Sequence, residues 1–351
     1  MDSGLVCVGL GFGGTVFSVS MLRPIAVHWG VVDRPGGRKH HRGEVPLVGG
    51  TALFAAVTGG WAILHMQWPN WMPVYLLAAG VLVVIGALDD RYDLDPKGKF
   101  LLQTACTLGV IYYGSLVLDD LGDLFGAGAI HTHAFGVAFT AFAVLGVTNA
   151  INMFDGANGL AGGTSLVSTL GFSFAAAAIG AQGAHSALLL LAGALGGFLL
   201  FNYRLRKFDS PWVFLGDAGA LFLGFTLAFV AVFLSQLPGQ NLPPIVAVWI
   251  GGMPLLEIGR VVGRRLAHGV NPLRADRSHV HHCLLGLGIP ERWVVVAIWL
   301  CQAMLTTVGL ASWWAGYSDA FLFYGFVLLF LVYSLGVEWA CRTLARRGAT
   351  Q

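Results

Sequence analysis

VLVVIGALDDRYDLDPKGKF, residues 81–100, runs from an apolar stretch into four acids within seven residues: Asp89, Asp90, Asp93 and Asp95. It reads as membrane core that stops abruptly at two adjacent carboxylates. The rest of the chain supports that reading. Of its 351 residues 56% are hydrophobic and only 11% are charged, and the mean hydropathy is +0.73. A soluble domain usually carries about 25% charged residues, so this chain has too little polar surface to cover a core in water. Runs of about 20 mainly apolar residues, enough for a helix to cross a bilayer, recur along it. Its 49 glycines let such helices approach closely. The fold class is all-α: a polytopic membrane protein, with residues 1–351 forming a single integral-membrane domain.

Hydropathy places about eleven transmembrane helices, near 5–27, 46–66, 72–88, 100–118, 134–153, 160–180, 186–203, 213–235, 243–262, 293–315 and 320–341. All 20 Lys and Arg then fall on one side, with Arg23 snorkelling from the end of the first span. The opposite loops carry Asp119, Asp120, Asp123 and Asp319 and several histidines. Cationic loops stay cytoplasmic, so the N-terminus is outside and the C-terminus cytoplasmic. No cleavable signal peptide is expected, because the first span is long and its basic flank follows it. The longest inner loop covers about 263–292. The five cysteines are scattered and suggest neither a disulfide framework nor a zinc site.

This parity puts four distant polar clusters in one compartment: DDRYD at 89–93, NAINMFDGANG at 149–159, FLGDAG at 214–219 and DRSHVHH at 276–282. Asp93 and Asp95 read equally well as a solvated face. Asp89 and Asp90 lie where the apolar run ends, and adjacent like charges at such a boundary need a cation between them. Mg²⁺ chooses oxygen ligands and often takes one or two carboxylates plus substrate phosphates. Asn149, Asn152 and Asp155 follow one another at intervals of three, which sets them on one helical face. Gly156 and Gly159 permit a sharp turn, and a helix cap would explain these glycines but not both asparagines. Asp217 is a lone acid in apolar sequence, which suits a wet cavity, a metal or an interfacial cap. His279, His281 and His282, with Arg277, suit phosphate contacts better than zinc, because no Cys or Glu stands at a ligand spacing. Arg264 and Arg265 could equally hold anionic lipid headgroups.

With VDRPGGRKHHRGEVPLVGG after the first span, these motifs make the chain resemble the polyprenyl-phosphate N-acetylhexosamine-1-phosphate transferases. Within that family it is most similar to the bacterial undecaprenyl-phosphate N-acetylglucosaminyl-1-phosphate transferases. The resemblance implies transfer of N-acetylglucosamine-1-phosphate from UDP-GlcNAc to undecaprenyl phosphate, with release of UMP, as the first membrane step of a cell-surface polysaccharide such as O-antigen. It implies Mg²⁺ or Mn²⁺ as cofactor, a UDP-sugar and a polyprenyl phosphate lipid as partners, and the bacterial inner membrane as location. No nucleic acid is implied, and a homodimer is compatible with it. On this reading Asp217 binds the metal, with Asn152 as second ligand. Asp89 and Asp90 orient the lipid phosphate or take its proton, and Asp155 binds nucleotide or sugar. Asn149, Asn158, Arg277, His279, His281, His282, Lys39 and Arg42 bind substrate, the basic residues through phosphate. Asn158 stands where the family often has a second acid, and Ala220 where it often has Ser. The alternatives are the same chemistry with UDP-GalNAc or a UDP-MurNAc-pentapeptide, a membrane transporter, and a lipid-binding scaffold.

Overall fold

A computed structural model describes residues 3–34, 43–66, 69–203, 210–239, 241–269 and 279–348, with side chains described as far as 343. Thirteen α-helices are described: α1 (Ser3–Trp29), α2 (Gly49–Ile63), α3 (Met72–Tyr92), α4 (Pro96–Gly114), α5 (Gly136–Phe154), α6 (Leu160–Ala178), α7 (Gln182–Asn202), α8 (Gly216–Ser235), α9 (Pro244–Ile250), α10 (Gly252–Ala267), α11 (Val280–Gly286), α12 (Glu291–Trp314) and α13 (Asp319–Gly348). Eight of them, α1, α3, α5, α6, α7, α8, α12 and α13, are long and apolar enough to cross a membrane. The protein is therefore a mostly helical, polytopic membrane protein. One departure from all-helical structure is a short antiparallel ribbon, in which β1 (Val32–Asp33) pairs with β2 (Val45–Pro46).

The α8 helix is the most deeply buried of the eight and packs against α2, α3, α5, α6 and α9. Its contact with α3 brings backbones together: a Cβ on Gly86 would stand 2.3 Å from the backbone nitrogen of Ala218. Small residues at such crossings replace a hydrophobic driving force that lipid does not supply. Several hydroxyls inside the bundle are satisfied within their own helices. Thr140, Thr148 and Thr164 each donate to the carbonyl four residues back, which avoids an unpaired polar group in an apolar medium. In contrast, α13 leaves Phe321, Leu328, Leu331, Val332, Leu335 and Trp339 exposed, a surface suited to lipid.

Residues 243–262, expected as one span, form two helices bent by 88° at Gly251. Such a break frees backbone groups that need partners. Gln302 of α12 supplies them, accepting from Met253 N at 2.9 Å and donating to Ile250 O at 2.6 Å, while Ser168 Oγ donates to the same carbonyl at 2.8 Å. A second correction concerns the cysteines. Cys283 of α11 and Cys341 of α13 form a disulfide across 58 residues of sequence. The sequence pattern could not reveal the pair, because only the packing of α11 on α13 brings the two together.

The alternate ends of the helices sort into two groups. At one end, Gln236 accepts from the backbone nitrogens of Asp119 and Asp120, and Asp319 accepts from Asp123 N at 3.2 Å. These acids organise their own loops. The motif residues gather at the other end, which α4 alone, with 19 residues, sets about 28 Å away.

Candidate active site

The four acids that end the apolar run divide into two pairs. Asp93 takes a left-handed conformation (φ 51°) at the C-terminus of α3, and Asp95 caps α4 by accepting from Gly98 N at 3.2 Å. Both shape the turn that reverses the chain. Asp89 and Asp90 lie on the last turns of α3 and face α4 and α8.

The α4 turn places Lys99 over these carboxylates. Its ammonium donates to Asp217 Oδ2 at 2.6 Å and also to Asp89 Oδ2. Asp217 Oδ1 accepts from Asn152 Nδ2 at 3.0 Å. One carboxylate in the first turn of α8 thus joins the end of α5 and the start of α4. Asp90 holds the same turn from another side: its Oδ1 accepts from Asp217 N at 2.9 Å, so it acts as an N-cap supplied by a different helix. Gly216 takes φ +70°, and a Cβ there would stand 2.4 Å from Asp90 Oδ2, so a side chain at 216 would displace the cap. Asp90 Oδ2 itself is buried with no hydrogen-bond partner among the described residues.

Asp155 follows α5 and is partly buried. Loss of water, and then the nearby Asp217 and Asp90 carboxylates, push its pKa up to about 8. Asn149 donates to Gln103 Oε1 at 3.0 Å and to Leu145 O at 2.8 Å, so its amide is engaged by α4, one turn beyond Lys99. At the next turn Asn158 N donates to Glu291 Oε1 at 3.1 Å. Asn202 accepts from Gly159 N at 2.6 Å and donates to Val213 O at 2.9 Å, which ties this turn to the segment entering α8. β2 is tied there too: Phe214 N donates to Pro46 O at 2.9 Å, and Gly49 N to Phe214 O at 2.9 Å.

His281 is 1% exposed, and among the described residues neither ring nitrogen has a hydrogen-bond partner. Burial, then repulsion from His282 and His279, lowers its pKa to about 3. A Cβ on Gly156 would stand 2.3 Å from His281 Nε2, which locates this ring against the turn after Asp155. The His281 and His282 rings are 4.2 Å apart. His279 Nδ1 lies 3.1 Å from Glu257 Oε1. Lys39, Arg42 and Arg277 lie outside the described residues.

The structure therefore brings Asp89, Asp90, Asn152 and Asp217 into one bonded cluster, and sets His281 against the adjoining turn that carries Asp155. Sequence reading missed Lys99, Gln103, Asn202 and Glu257. Lys99 and Gln103 had a usable signal: four residues apart on a helix capped by Asp95, they share a face. Among the described residues no three His, Cys, Asp or Glu side chains converge closely enough to hold an ion alone. A cation here would need oxygens from a ligand as well.

The profile of glycosyl transferase family 4 matches residues 72–235, the segment that carries Asp89, Lys99, Asn152, Asp155 and Asp217. Among curated proteins, the undecaprenyl-phosphate α-N-acetylglucosaminyl 1-phosphate transferase of Escherichia coli O157:H7 is 32% identical over 329 residues, 93% of this chain and 89% of the relative. The proteins of the same name from Yersinia pestis and Haemophilus influenzae are 33% and 32% identical, over 93% and 96% of this chain and 90% and 95% of their own lengths. The chain belongs to the undecaprenyl-phosphate α-N-acetylglucosaminyl 1-phosphate transferase family, within glycosyl transferase family 4.

Proposed function

We propose that this protein transfers N-acetylglucosamine-1-phosphate from UDP-GlcNAc to undecaprenyl phosphate, giving undecaprenyl-diphospho-N-acetylglucosamine and UMP. The observation that carries this reading is the Asp217 side chain, bonded at once to Asn152 and to Lys99, which also holds Asp89. Carboxylates, an amide and a fixed ammonium at one end of an apolar bundle suit a phosphate-rich soluble donor that meets a lipid acceptor.

In the reaction an oxygen of the lipid phosphate attacks the β-phosphorus of UDP-GlcNAc. A new P–O bond forms, the P–O bond to the α-phosphate oxygen breaks, and UMP leaves with the electron pair. A phosphomonoester has its second pKa near 6 and is largely ionised at neutral pH. Positioning and charge neutralisation therefore matter more than proton removal. The oxygen-rich donor set fits Mg²⁺ or Mn²⁺, and Lys99 already sits where positive charge is needed between Asp89 and Asp217. Asp217 and Asn152 would hold the ion, which when bound neutralises diphosphate charge. Asp89 and Asp90 orient the acceptor phosphate, and Lys99 binds a phosphate oxygen. Asp155 and Asn158 meet the nucleotide or sugar. His279, His281 and His282 hold donor phosphates, and Arg277, Lys39 and Arg42 add charge around them.

A small apolar cleft lies where α9 and α10 bend, lined by residues that include Val147, Ile151, Phe172, Leu227 and Leu255. In this reading the chain crosses the bacterial inner membrane about eleven times: the eight long helices, the bent α9–α10 pair, and α2 and α4. The N-terminus is outside, and the site faces the cytoplasm.

The test is purified protein supplied with Mg²⁺, UDP-GlcNAc, UDP-GalNAc or UDP-MurNAc-pentapeptide, with and without undecaprenyl phosphate. UMP release from UDP-GlcNAc that requires the lipid is expected. Preference for another UDP-sugar refutes the donor assignment, and sugar-nucleotide flux without UMP refutes the reaction.

A further inference from the structure

Beyond the reacting cluster, α10 carries a carboxylate that is costly to bury and gathers an unusual number of donors. Glu257 has a side chain only 2% exposed. Its Oε1 accepts from Arg260 Nη2 at 2.7 Å, from His279 Nδ1 at 3.1 Å and from Val280 N at 3.1 Å. Its Oε2 accepts from Tyr333 Oη at 2.5 Å and from Arg260 Nε at 3.3 Å. Arg260 and Tyr333 fix the carboxylate from α10 and α13. The two remaining donors are consecutive residues of the His279–Val280–His281–His282 segment, one a ring and one a backbone amide.

That pairing does more than satisfy a buried charge. An acceptor at Nδ1 sets the tautomer and the plane of the His279 ring, so Nε2 is left for a ligand. The grip on Val280 N fixes where α11 starts and hence where His281 meets Gly156. The far side of α11 is fixed as well, by its packing on α12 and α13. An imidazolium carries an N–H on each nitrogen, so Nδ1 can donate to Glu257 while Nε2 donates to a phosphate oxygen.

We infer that Glu257 is a positioning residue for the sugar-nucleotide donor: it orients His279 so that Nε2 meets a phosphate oxygen of the bound nucleotide. The inference rests on the reading of His279 as a donor-phosphate contact. It goes beyond it by assigning a specific residue, on a helix that supplies no other polar residue to the proposed site, to donor affinity.

The test is a double-mutant cycle with Glu257→Gln and His279→Ala, read as the KM for UDP-GlcNAc, the KM for undecaprenyl phosphate, and kcat. Outer partners that orient metal-binding histidines contribute about 10–100-fold, the scale taken here for Glu257 behind His279, and loss of a contact made equally in ground and transition states raises KM alone. E257Q should therefore raise the KM for UDP-GlcNAc about tenfold or more, with kcat and the lipid KM nearly unchanged. In the H279A background it should change the donor KM less than about twofold. A fall in kcat, or an equal effect in both backgrounds, would mark Glu257 as structural and overturn the inference. Wild-type donor KM in H279A would remove the His279 reading itself. A raised KM in H279A with an additive cycle would remove only the role of Glu257. If E257Q is not recovered folded, Glu257→Asp serves in its place. It keeps a charge beside Arg260 but shortens the reach to His279, so the same donor-selective rise in KM is expected and its absence counts against the inference.

Discussion

Lys99 Nζ lies 2.6 Å from Asp217 Oδ2 although 118 residues separate the two. The same ammonium holds Asp89, so the first turn of α4 joins the end of α3 to the start of α8. Removing a fixed charge aimed at a reacting phosphate costs about 10²–10³-fold in turnover. Lys99→Met should lower UMP release by that factor, and Lys99→Arg should retain part of the rate. K99M turning over within threefold of wild type would take Lys99 out of the reaction.

Asp90 has a cap to maintain as well as a proposed place beside the acceptor phosphate, and two variants separate these roles. Asp90→Asn keeps an oxygen for Asp217 N, whereas Asp90→Ala does not, and loss of a cap costs about 0.5–2 kcal/mol. D90A should unfold at lower temperature than wild type, and D90N close to it. Both should lose about 10²-fold in turnover, as expected when a positioned group is lost. Wild-type turnover in D90N would confine Asp90 to capping.

Asp155 gives a pH signature in protein freed of divalent ions. Its carboxyl is pushed up to about 8, so between its ordinary value of 3.8 and about 8 the folded chain holds a proton that the unfolded chain has released. The group's contribution to stability is full below this window and is lost as pH rises through it. His281, lowered to about 3 from 6.5, acts with the opposite sign, its contribution being lost as pH falls below 6.5. Comparing wild type with Asp155→Asn isolates the first effect. The wild-type thermal midpoint should decline relative to D155N from pH 5 to pH 8.5 in chelator, and parallel curves would contradict the assignment.

The Cys283–Cys341 pair reports orientation. It lies on the face proposed to meet the cytoplasm, where thiols are kept reduced. In cells, with Cys7, Cys106 and Cys301 replaced, both sulfurs should react with a membrane-permeant thiol reagent, and the disulfide should form after purification in air. A pair already oxidised in growing cells would place this face, and the site with it, outside.

Much of this architecture was legible in the chain. The long apolar runs set the helices to within a few residues, because burial in lipid demands a continuous stretch. The interruptions DD, NAIN, GD and HVHH stood out because polar groups are costly there. The break at Gly251 was not legible: hydropathy averages over the bend, and the partners of the freed backbone, Gln302 and Ser168, are distant in sequence. Glu257 gives no signal in the sequence, because nothing local to it indicates that His279 and Tyr333 close around it. Lys99 reads as one more loop cation, since a charge at a helix end looks the same in sequence whether it faces water or a pair of carboxylates. The roles of Lys39, Arg42 and Arg277 rest on sequence alone.

The most direct measurement is the identity of the nucleotide released when purified protein turns over UDP-GlcNAc with undecaprenyl phosphate and Mg²⁺. Attack at the β-phosphorus predicts UMP, in equal amount with a lipid that carries two phosphates and one N-acetylglucosamine, and predicts neither product with Asp217→Asn. Release of UDP would mean that the sugar alone had moved, and would contradict phosphoryl transfer at this site.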